Sequence, residues 1–440
     1  MPRIKPLLGA VLFTLAQGAL AQGTLIGWAS LPAASFSPGP VSGQFIGSGP
    51  FNGGHVPPYA GQPVQGFSAI LSGPVPGSFY VMTDNGFGAK TNSADTLLRV
   101  YAVRPDWSSR MVVPVDFQTG SDLTAFAAAG HISLRDPDHK LGYTLTADLD
   151  FYPNGAGTVP VDPAIKAGRL LTGYDLDIES VRRDHNGNLW FGDEFGPFLI
   201  KTDASGKVLR AEIATPGVRA PQNPYLGGAT PNLPTSRGFE GMAINPAGNR
   251  LYPMLEGTVT GDPARSLRIY EFDVDAEDYT GFQAFYRLEP QGAAIGELTA
   301  IDDRRFLVIE RDGGQGASAL FKKVFLIDLQ DRDADGFVAK REVLDLMNIA
   351  DPDDLNGDGS TTFTYPFVTI EAVLPLDAHT LILVNDNNYP FSAGRMAGVA
   401  DNNEFILVRL AQPVPEPGSW AMLLAGLGVL GLMARARRGR

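Results

Sequence analysis

Short apolar runs that fold back on each other recur five times along this chain. In each copy an acid or a serine leads the first run, and an acid closes the second. The residues between the runs are rich in Gly, Pro, Asn and Asp, which favour tight chain reversal. The pattern predicts five antiparallel hairpins, at residues 68–84, 179–193, 240–256, 297–310 and 371–386.

The charges at the ends of these hairpins present an electrostatic problem. Residues at equal distance from a turn face each other, so the two acids of a copy should lie side by side at its open end. Opposed Cβ atoms are only about 4.5–5.5 Å apart, and like charges at that distance repel. We therefore expect a cation, a basic residue or a shared proton beside each pair.

The spacing of the hairpins indicates the architecture. Repeats of roughly 50–60 residues built from short strands are typical of propeller blades. We predict an all-β fold, a β-propeller of about six blades with five to seven admissible and with short helical insertions. The long gap after the first hairpin predicts a sixth hairpin, without acids, at residues 132–145. Helices are predicted at residues 121–129 and 339–349.

Composition narrows the class of protein. The net charge of −13 argues against nucleic acid as a partner, because no basic surface is available to neutralise phosphates, and it is compatible with cation binding. The chain contains no Cys, which excludes disulfides and thiolate chemistry. Its 51 Gly and 34 Pro favour many short strands over long helices.

Both ends of the chain have the form of targeting signals. At residues 1–21, basic residues precede an apolar run and a small-residue cleavage site, so we expect a signal peptide removed by signal peptidase during export. At residues 413–440, a Pro-Glu-Pro motif precedes a short apolar stretch and a terminal arginine cluster. The stretch is short for a membrane span, which needs roughly 20 residues, yet the arginines suit its cytoplasmic side.

The C-terminal pattern resembles the PEP-CTERM sorting signal of Gram-negative bacteria that produce exopolysaccharide. The resemblance implies recognition by an exosortase-type processing enzyme and transient anchoring in the inner membrane by a short transmembrane segment. Release to the envelope surface or to the extracellular space would follow. A plain tail anchor is the alternative. Residues 22–412 are then expected to form the propeller domain.

Several phrases within the repeats resemble a second known family. They include Thr-Asp-Asn-Gly-Phe-Gly at 83–88, Asp-Ile-Glu-Ser-Val at 177–181, Gly-Phe-Glu-Gly-Met-Ala at 238–243 and Ile-Glu-Arg-Asp at 309–312. Over residues 60–410 the chain resembles the phytase-like family of bacterial secreted proteins, described as having esterase-like activity of phytase. The resemblance implies a β-propeller and hydrolysis of phosphate esters or related esters. The chain departs from the pattern at Ser68, where other copies carry Glu, and at residues 331–368, which have the character of an insertion.

Equivalent hairpin ends meet on one face of a propeller, so the acids should converge on a single mouth. Carboxylates and amide oxygens, without clustered His or any Cys, suit a hard cation, and Ca²⁺ is favoured over Mg²⁺ or Mn²⁺. The candidate metal ligands are Asp84, Asn85, Asp193, Glu194, Glu256, Glu310, Asp386 and Asn387. The candidate catalytic residues are Glu179, Glu240, Glu297, Glu371, Arg237 and Arg311. One acid would act as general base and the arginines would hold an anion; alternatively, the acids only pin neighbouring blades together.

A calcium-binding pattern lies outside the hairpin repeat. Asp331, Asp333, Asp335 and Glu342 occupy ligand positions of the EF-hand loop, and the carbonyl of Phe337 supplies a further ligand. An apolar strand precedes the loop and a helix is predicted after it, so we expect a strand–loop–helix variant. This Ca²⁺ site would be structural rather than catalytic.

Two functions remain open. The first is a secreted or envelope-sorted, metal-dependent hydrolase that acts on a small anionic ester. The second is a non-catalytic propeller that binds exopolysaccharide or a surface partner. The chain has no Gly-x-Ser-x-Gly motif, which disfavours an α/β-hydrolase-type serine esterase, and it has no Walker loop or dinucleotide-binding fingerprint.

Overall fold

A computed structural model describes residues 22–154 and 157–414 of the chain. The signal peptide predicted at residues 1–21 lies outside the described residues, as does all but the first part of the sorting segment predicted at residues 413–440. Within the described ranges, no helix has both the length and the apolar character needed to cross a membrane.

Regular structure in the described residues consists almost entirely of strands. The strands of the first half are β1 Gly23–Leu31, β2 Phe36–Ser37, β3 Gln62–Pro63, β4 Phe67–Ser72, β5 Phe79–Thr83, β6 Arg99–Asp106, β7 Met111–Pro114, β8 His131–Ser133, β9 Ile178–Arg183, β10 Leu189–Asp193, β11 Phe198–Thr202 and β12 Ile213–Ala214. Those of the second half are β13 Phe239–Ile244, β14 Arg250–Leu255, β15 Ser266–Asp273, β16 Asp278–Arg287, β17 Ala294–Ala300, β18 Arg305–Arg311, β19 Lys322–Arg332, β20 Val338–Asp345, β21 Ile349–Ala350, β22 Thr362–Phe363, β23 Thr369–Asp377, β24 Thr380–Asp386 and β25 Asn403–Leu410. The helical elements are α1 Pro163–Gly168 and the 3₁₀ turns Asn52–Gly54, Ala128–Gly130, Thr146–Asp148 and Gly316–Ser318.

Most of these strands group into five four-stranded blades within the described residues. Blades 2, 3 and 4 are separate sheets, whereas blades 1 and 5 are joined in one 11-stranded sheet by a contact between β1 and β7. Blade 1 contains β4 to β7, blade 2 β9 to β12, blade 3 β13 to β16, blade 4 β17 to β20, and blade 5 β23 to β25 with β1. The innermost strands β4, β9, β13, β17 and β23 contact one another in a closed cycle. The predicted all-β propeller is therefore confirmed, and the blades described lie at the lower end of the predicted number.

Each junction between neighbouring blades holds its own apolar core. Strand side chains alternate between the two faces of a sheet, so one strand serves two junctions. On β10, Phe191 packs in the core between blades 1 and 2, whereas the adjacent Trp190 packs in the core between blades 2 and 3. Three further cores fill the junctions between blades 3 and 4, 4 and 5, and 5 and 1. Burial on both faces explains why the strands appear as short continuous apolar runs.

All five predicted hairpins are present, as β4–β5, β9–β10, β13–β14, β17–β18 and β23–β24. The turn of blade 2 shows how local chemistry forms them. The backbone N–H of Asp184 donates to the carbonyl of Asn188 at 2.9 Å, and Gly187 adopts a φ of 85°. Glycine tolerates this left-handed conformation better than other residues, which is why the turn sequence is informative.

Both predicted helices are wrong. Within residues 121–129 the backbone N–H of Leu123 donates to the carbonyl of Pro114 at 2.9 Å, and the one helical turn there is the 3₁₀ turn at Ala128–Gly130. Most of residues 339–349 belong to β20, which is hydrogen-bonded to β19. In both segments, a neighbouring strand satisfies backbone groups that a helix would have paired internally.

The predicted sixth hairpin is also wrong. His131–Ser133 forms the short strand β8, which pairs with β6, and residues 143–145, which are described, form no strand. The insertion predicted at residues 331–368 includes β20, which is an integral outer strand of blade 4. The interval between the first and second acidic hairpins therefore supplies the outer strands β6 and β7 of blade 1 and then a long connection to blade 2, rather than a further blade.

Candidate functional site

The open ends of the five hairpins lie on one face, and a shared β-bulge determines which side chains reach the axis. The equivalent strand pairs are Phe67–Thr83, Ile178–Asp193, Phe239–Leu255, Ile295–Glu310 and Ile370–Asn385. After each of these pairs the inner strand carries one extra residue, which is Ser68, Glu179, Glu240, Gly296 or Glu371. Such a bulge re-aims the side chain of the extra residue.

Each blade directs a second side chain towards the axis, from the residue that follows the pair on the second strand. These residues are Asp84, Glu194, Glu256, Arg311 and Asp386. The prediction that the two acids of a copy oppose each other directly is therefore wrong, because the leading acid occupies the bulge. We use the term mouth for the cluster formed by Asp84, Asp177, Glu179, Glu194, Glu240, Glu256, Arg311, Glu371 and Asp386.

Blade 4 contributes a cation to the mouth instead of acids. Its acids Glu297 and Glu310 are one residue out of register with those of the other blades, so the equivalent positions carry Gly296 and Arg311. The buried guanidinium of Arg311 approaches three carboxylates through Nη2, at 3.2 Å from Glu240, 3.2 Å from Glu256 and 3.4 Å from Glu371. Arg311 is the basic partner that the clustered acids require.

A second arginine lies at the rim of this cluster. Nη1 of Arg237 is 2.6 Å from Oε2 of Glu256, and 40% of the Arg237 side chain is exposed. Unlike Arg311, it has one acidic partner and access to solvent. It can therefore reach an anion that approaches from outside the mouth.

Blades 2 and 3 contribute two groups of three carboxylates that overlap at one residue. Oxygen atoms of Asp177, Glu179 and Glu194 lie within 4.8 Å of one another, and so do oxygen atoms of Glu194, Glu240 and Glu256. Glu194 belongs to both groups. Asp177 was absent from the candidates derived from sequence, although it immediately precedes Ile178, the first residue of β9. The equivalent positions of the other blades carry Gly66, Gly238, Ala294 and Thr369. An acid at this position is therefore specific to blade 2, and this difference between the repeats could have identified Asp177 from the sequence.

The oxygens of this cluster fit a hard cation. Among the described residues, Oδ1 of Asp177 and Oε1 of Glu194 are buried and accept no hydrogen bond. A buried polar atom without a partner is costly, and most such atoms in proteins are satisfied. A set of carboxylates with unpartnered oxygens and no Cys is the ligand chemistry that Ca²⁺ prefers.

Burial changes the protonation of these acids. Burial raises the pKa of Glu179 and of Glu194 well above the usual range, and the neighbouring Asp177 carboxylate adds to both shifts. Burial, reinforced by Glu256, raises the pKa of Glu240 to about 8, against the opposing effect of Arg311. The pKa of Glu371 is also raised well above its usual range, first by burial and then by Glu240. Without a cation, several of these groups therefore hold protons near neutral pH.

Blades 5 and 1 close the mouth on its other side. The Ser68 hydroxyl donates to Oε2 of Glu371 at 3.0 Å, so the serine that replaces an acid stabilises the acid of the next blade. Asp84 accepts the backbone N–H of Gly86 at 2.9 Å, and burial followed by the charge of Asp386 raises its pKa well above the usual range. Asp386 accepts the backbone N–H of Asn388 at 2.6 Å.

The two predicted amide ligands serve the backbone instead. Oδ1 of Asn85 accepts the N–H of Gly88 at 2.9 Å, and Oδ1 of Asn387 accepts the N–H of Gly66 at 3.2 Å. These oxygens hold the loops that follow β5 and β24. Each asparagine therefore positions its neighbouring aspartate rather than directing a free oxygen at the mouth.

Three predicted site acids lie outside the mouth and hold the structure together. Asp193 accepts the backbone N–H groups of Asp177 at 2.9 Å and Gly196 at 2.8 Å. Glu297 forms a fully buried ion pair with Arg182 of blade 2, with Nη2 and Oε1 2.8 Å apart. Glu310 bonds to Lys340 at 2.9 Å. The contacts of these three acids therefore match the alternative interpretation, in which the acids hold neighbouring elements together.

The EF-hand arrangement is not formed. Asp333 accepts the backbone N–H groups of Asp335 and Phe337 at 3.0 and 2.9 Å, which makes a tight turn between β19 and β20. Glu342, the predicted closing ligand, lies on β20 opposite Phe325 and bonds to Lys323 at 2.7 Å. Because a strand replaces the predicted helix, the chain runs away from the turn and carries Glu342 with it.

Comparison with known protein families adds to this geometry. Residues 62–389 match the model of the phytase-like family, described as esterase-like activity of phytase. The chain belongs to the phytase-like family. The phytase-like match includes every residue of the mouth. Residues 413–438 match the PEP-CTERM protein-sorting motif, so this family member also carries an envelope-sorting signal.

Relatives of this phytase-like protein are distant. An uncharacterized secreted protein of Arthroderma benhamiae is 25% identical over 237 residues, which is 43% of this chain and 46% of the relative. The match thus spans less than half the length of that relative. A luciferin-regenerating enzyme aligns with a TM-score of 0.38 and 12% identity over 79% of each chain. An exo-β-1,3-galactanase from Clostridium thermocellum aligns with a TM-score of 0.40 and 10% identity over 81% of this chain and 62% of its own.

Proposed function

We propose that this secreted phytase-like protein binds a divalent cation, with Ca²⁺ favoured, in the mouth and hydrolyses phosphate esters or related esters there. The observation that carries the proposal is the pair of overlapping carboxylate groups that share Glu194, with unpartnered oxygens on Asp177 and Glu194. Asp177, Glu179 and Glu194 would hold the cation. A bound cation of this kind polarises a phosphoryl oxygen and makes a nearby water more acidic.

The residues around this ligand set have distinct roles in the proposal. Arg237, at the exposed rim, orients the anionic group of the substrate. Glu240, whose pKa is raised to about 8 by burial, is the general base that takes a proton from water once it is deprotonated. Arg311 is already engaged with three carboxylates, so it positions Glu240 and Glu371 instead of gripping the substrate.

The proposal is tested on purified residues 22–412, with phosphomonoester, phytate and aryl ester substrates, in the presence and absence of Ca²⁺. We expect Ca²⁺-dependent turnover that the double variant Glu240→Gln/Glu371→Gln abolishes while the thermal unfolding transition persists. Glu342→Gln is the matched control, because this glutamate lies outside the mouth and bonds to Lys323. Turnover that survives the double variant would mean that the acids only pin blades.

One observation favours the second candidate, a propeller that binds exopolysaccharide. Beside the mouth, a cavity of about 410 Å³ is walled by Tyr143, Tyr174 and Tyr225 together with Lys90. Aromatic faces with a few polar groups suit ring-shaped ligands. If Tyr174→Ala and Tyr225→Ala abolish retention on exopolysaccharide while no ester is turned over under any condition, the binding function replaces the hydrolase.

The route to the site of action is also part of the proposal. Signal peptidase would remove residues 1–21, and residues 413–440 would anchor the chain transiently in the inner membrane until an exosortase-type enzyme processes it. The match of residues 413–438 to the sorting motif supports this order. Pulse-labelling of the full chain should show two successive decreases in mass, and a single decrease would favour a plain tail anchor.

A further inference from the structure

A second cavity opens on the face that carries the hairpin turns, opposite the mouth. Its volume is about 700 Å³, within the range of ordinary ligand pockets. The turns of blades 2, 3, 4 and 5 form its walls, with apolar contributions from Ile244, Ala247, Ile301 and Leu376. The Leu376 side chain is 44% exposed and is therefore available to a ligand in the cavity.

The chain itself runs to the wall of this cavity. After β25, the N–H of Leu410 donates to the carbonyl of His379 at 2.7 Å, and the N–H of Val414 donates to the carbonyl of Ala378 at 2.8 Å. Val414 is only 2% exposed and packs in the core between blades 4 and 5. Val414 also lines the cavity. Residue 415 is therefore covalently attached to a fixed point on the cavity wall.

We propose that the Pro-Glu-Pro-Gly segment at residues 415–418 docks in this cavity, with its prolines against the apolar walls and Glu416 against Arg183. The direct attachment makes the docking intramolecular, and a short tether gives an effective concentration of the order of millimolar. Weak contacts are then sufficient for high occupancy. Prolines also restrict the free chain, so ordering this segment costs little conformational entropy.

One charge of the wall, that of Arg183, complements this segment. Arg183 lines the cavity with its guanidinium 5.0 Å from the ring centroid of Tyr80, and it forms no ion pair within residues 22–154 and 157–414. Asp184 and Asp377 also line the wall and keep their negative charges, but their oxygens are directed at their own turns, where Asp184 accepts the N–H of Asn186 and Asp377 accepts the N–H of His379. Glu416 is the one charged residue between positions 415 and 434. An unpaired cation on the wall thus meets a single acid on the tether.

Docking would orient the whole propeller before processing. The turn face would lie next to the anchored segment, and the mouth would point away from the membrane. The Pro-Glu-Pro motif would also be partly covered, so that a processing enzyme must displace it from the cavity. None of this depends on metal binding or hydrolysis at the mouth.

The absence of cysteine permits a direct test on the full chain purified in detergent. Pro417→Cys is combined with Ala247→Cys on the cavity wall, or with Arg304→Cys. Arg304 is exposed at the far end of the blade 4 turn and does not itself line the cavity. Under limiting diamide, a disulfide forms only where Cα atoms come within about 7 Å. We expect the disulfide between positions 247 and 417 to form, as measured by peptide mass spectrometry, and the disulfide between positions 304 and 417 to be absent.

A charge exchange tests the contact between Glu416 and Arg183. In the 247/417 pair background, Arg183→Glu should lower the disulfide-linked fraction by about fivefold, and adding Glu416→Arg should restore it. Equal cross-linking at positions 247 and 304, or no cross-linking at position 247, overturns the docking proposal. Cross-linking at position 247 that is insensitive to both charge changes leaves the apolar docking in place and overturns the role of Glu416.

Discussion

Removal of the guanidinium of Arg311 is the most informative single change in this protein. Arg311→Met keeps the apolar stem but leaves Glu240, Glu256 and Glu371 without their shared cation. Removing one partner of a buried ion pair typically costs about 3–5 kcal/mol, because the remaining charge is buried without compensation. Here the three acids can escape the cost by taking up protons, so the loss of stability should depend on pH.

The sign of that dependence follows from linkage. Burial already raises the pKa of Glu240 to about 8 in the folded protein, and loss of Arg311 raises it further. The unfolded chain releases the same proton at about pH 4.3. Below about pH 8 Glu240 is protonated in both folded proteins, so its titration adds little to the deficit of the variant at pH 6; the deficit grows as the pH rises through about 8, towards about 3–5 kcal/mol by about pH 9.5.

Urea unfolding of residues 22–412 in EDTA, at pH 6 and about pH 9.5, measures this difference. Arg237→Met is the matched control, because that arginine has one acidic partner and a side chain that is 40% exposed. Glu256 keeps Arg311 as a partner when Arg237 is removed, so the control should lose clearly less stability than Arg311→Met. Equal losses for the two variants, or an Arg311→Met loss that does not change with pH, would refute the account of Arg311 as the counterion of the mouth.

Three further outcomes are expected. In EDTA, the melting temperature of residues 22–412 should fall as pH rises from about 4.5 to 8, because the folded mouth binds more protons than the unfolded chain over that range. Calorimetry that shows a rise would contradict the raised pKa values. Glu194→Gln should weaken Ca²⁺ binding by more than about tenfold in titration calorimetry, whereas Glu310→Gln, outside the mouth, should leave Ca²⁺ affinity unchanged even if it lowers stability. Glu342→Gln should leave the number of bound Ca²⁺ ions unchanged and cost about 0–1 kcal/mol in urea unfolding, and loss of one ion would restore the EF-hand interpretation.

The hairpins were predictable because their information is local. The turn from Asp184 to Asn188 carries its own hydrogen bonds and a glycine at the left-handed position, so the sequence alone contains the signal. The helices failed for the opposite reason. Residues 339–349 have helical spacing of apolar side chains, but β19 supplies hydrogen bonds to β20 that no local pattern reveals.

The site was predictable only to within one residue. The repeat predicted which face of the propeller carries the acids. The bulge that shifts the register of the inner strands has no signal in the composition of those strands. In blade 4 the shift exchanges the predicted pair Glu297 and Glu310 for Gly296 and Arg311. The prediction included Arg311 as a candidate but not as a member of the repeat. Asp177 was missed because it precedes the repeat unit as the unit was defined.

The pairing of β1 with β25 sets the order in which this fold can be completed. The last blade needs the first strand of the domain, with Gly23 opposite Leu410, so the ring closes across nearly the whole domain. Contacts of such long sequence separation form slowly, because the chain loses the entropy of loop closure before the contacts stabilise it. The open ring exposes the edges of blades 1 and 5 until residue 410 is available. Cleavage beyond Val414 leaves the pairing of β1 with β25 intact, whereas cleavage before β25 would remove it and open the ring. The position of the sorting segment therefore allows processing without loss of the propeller.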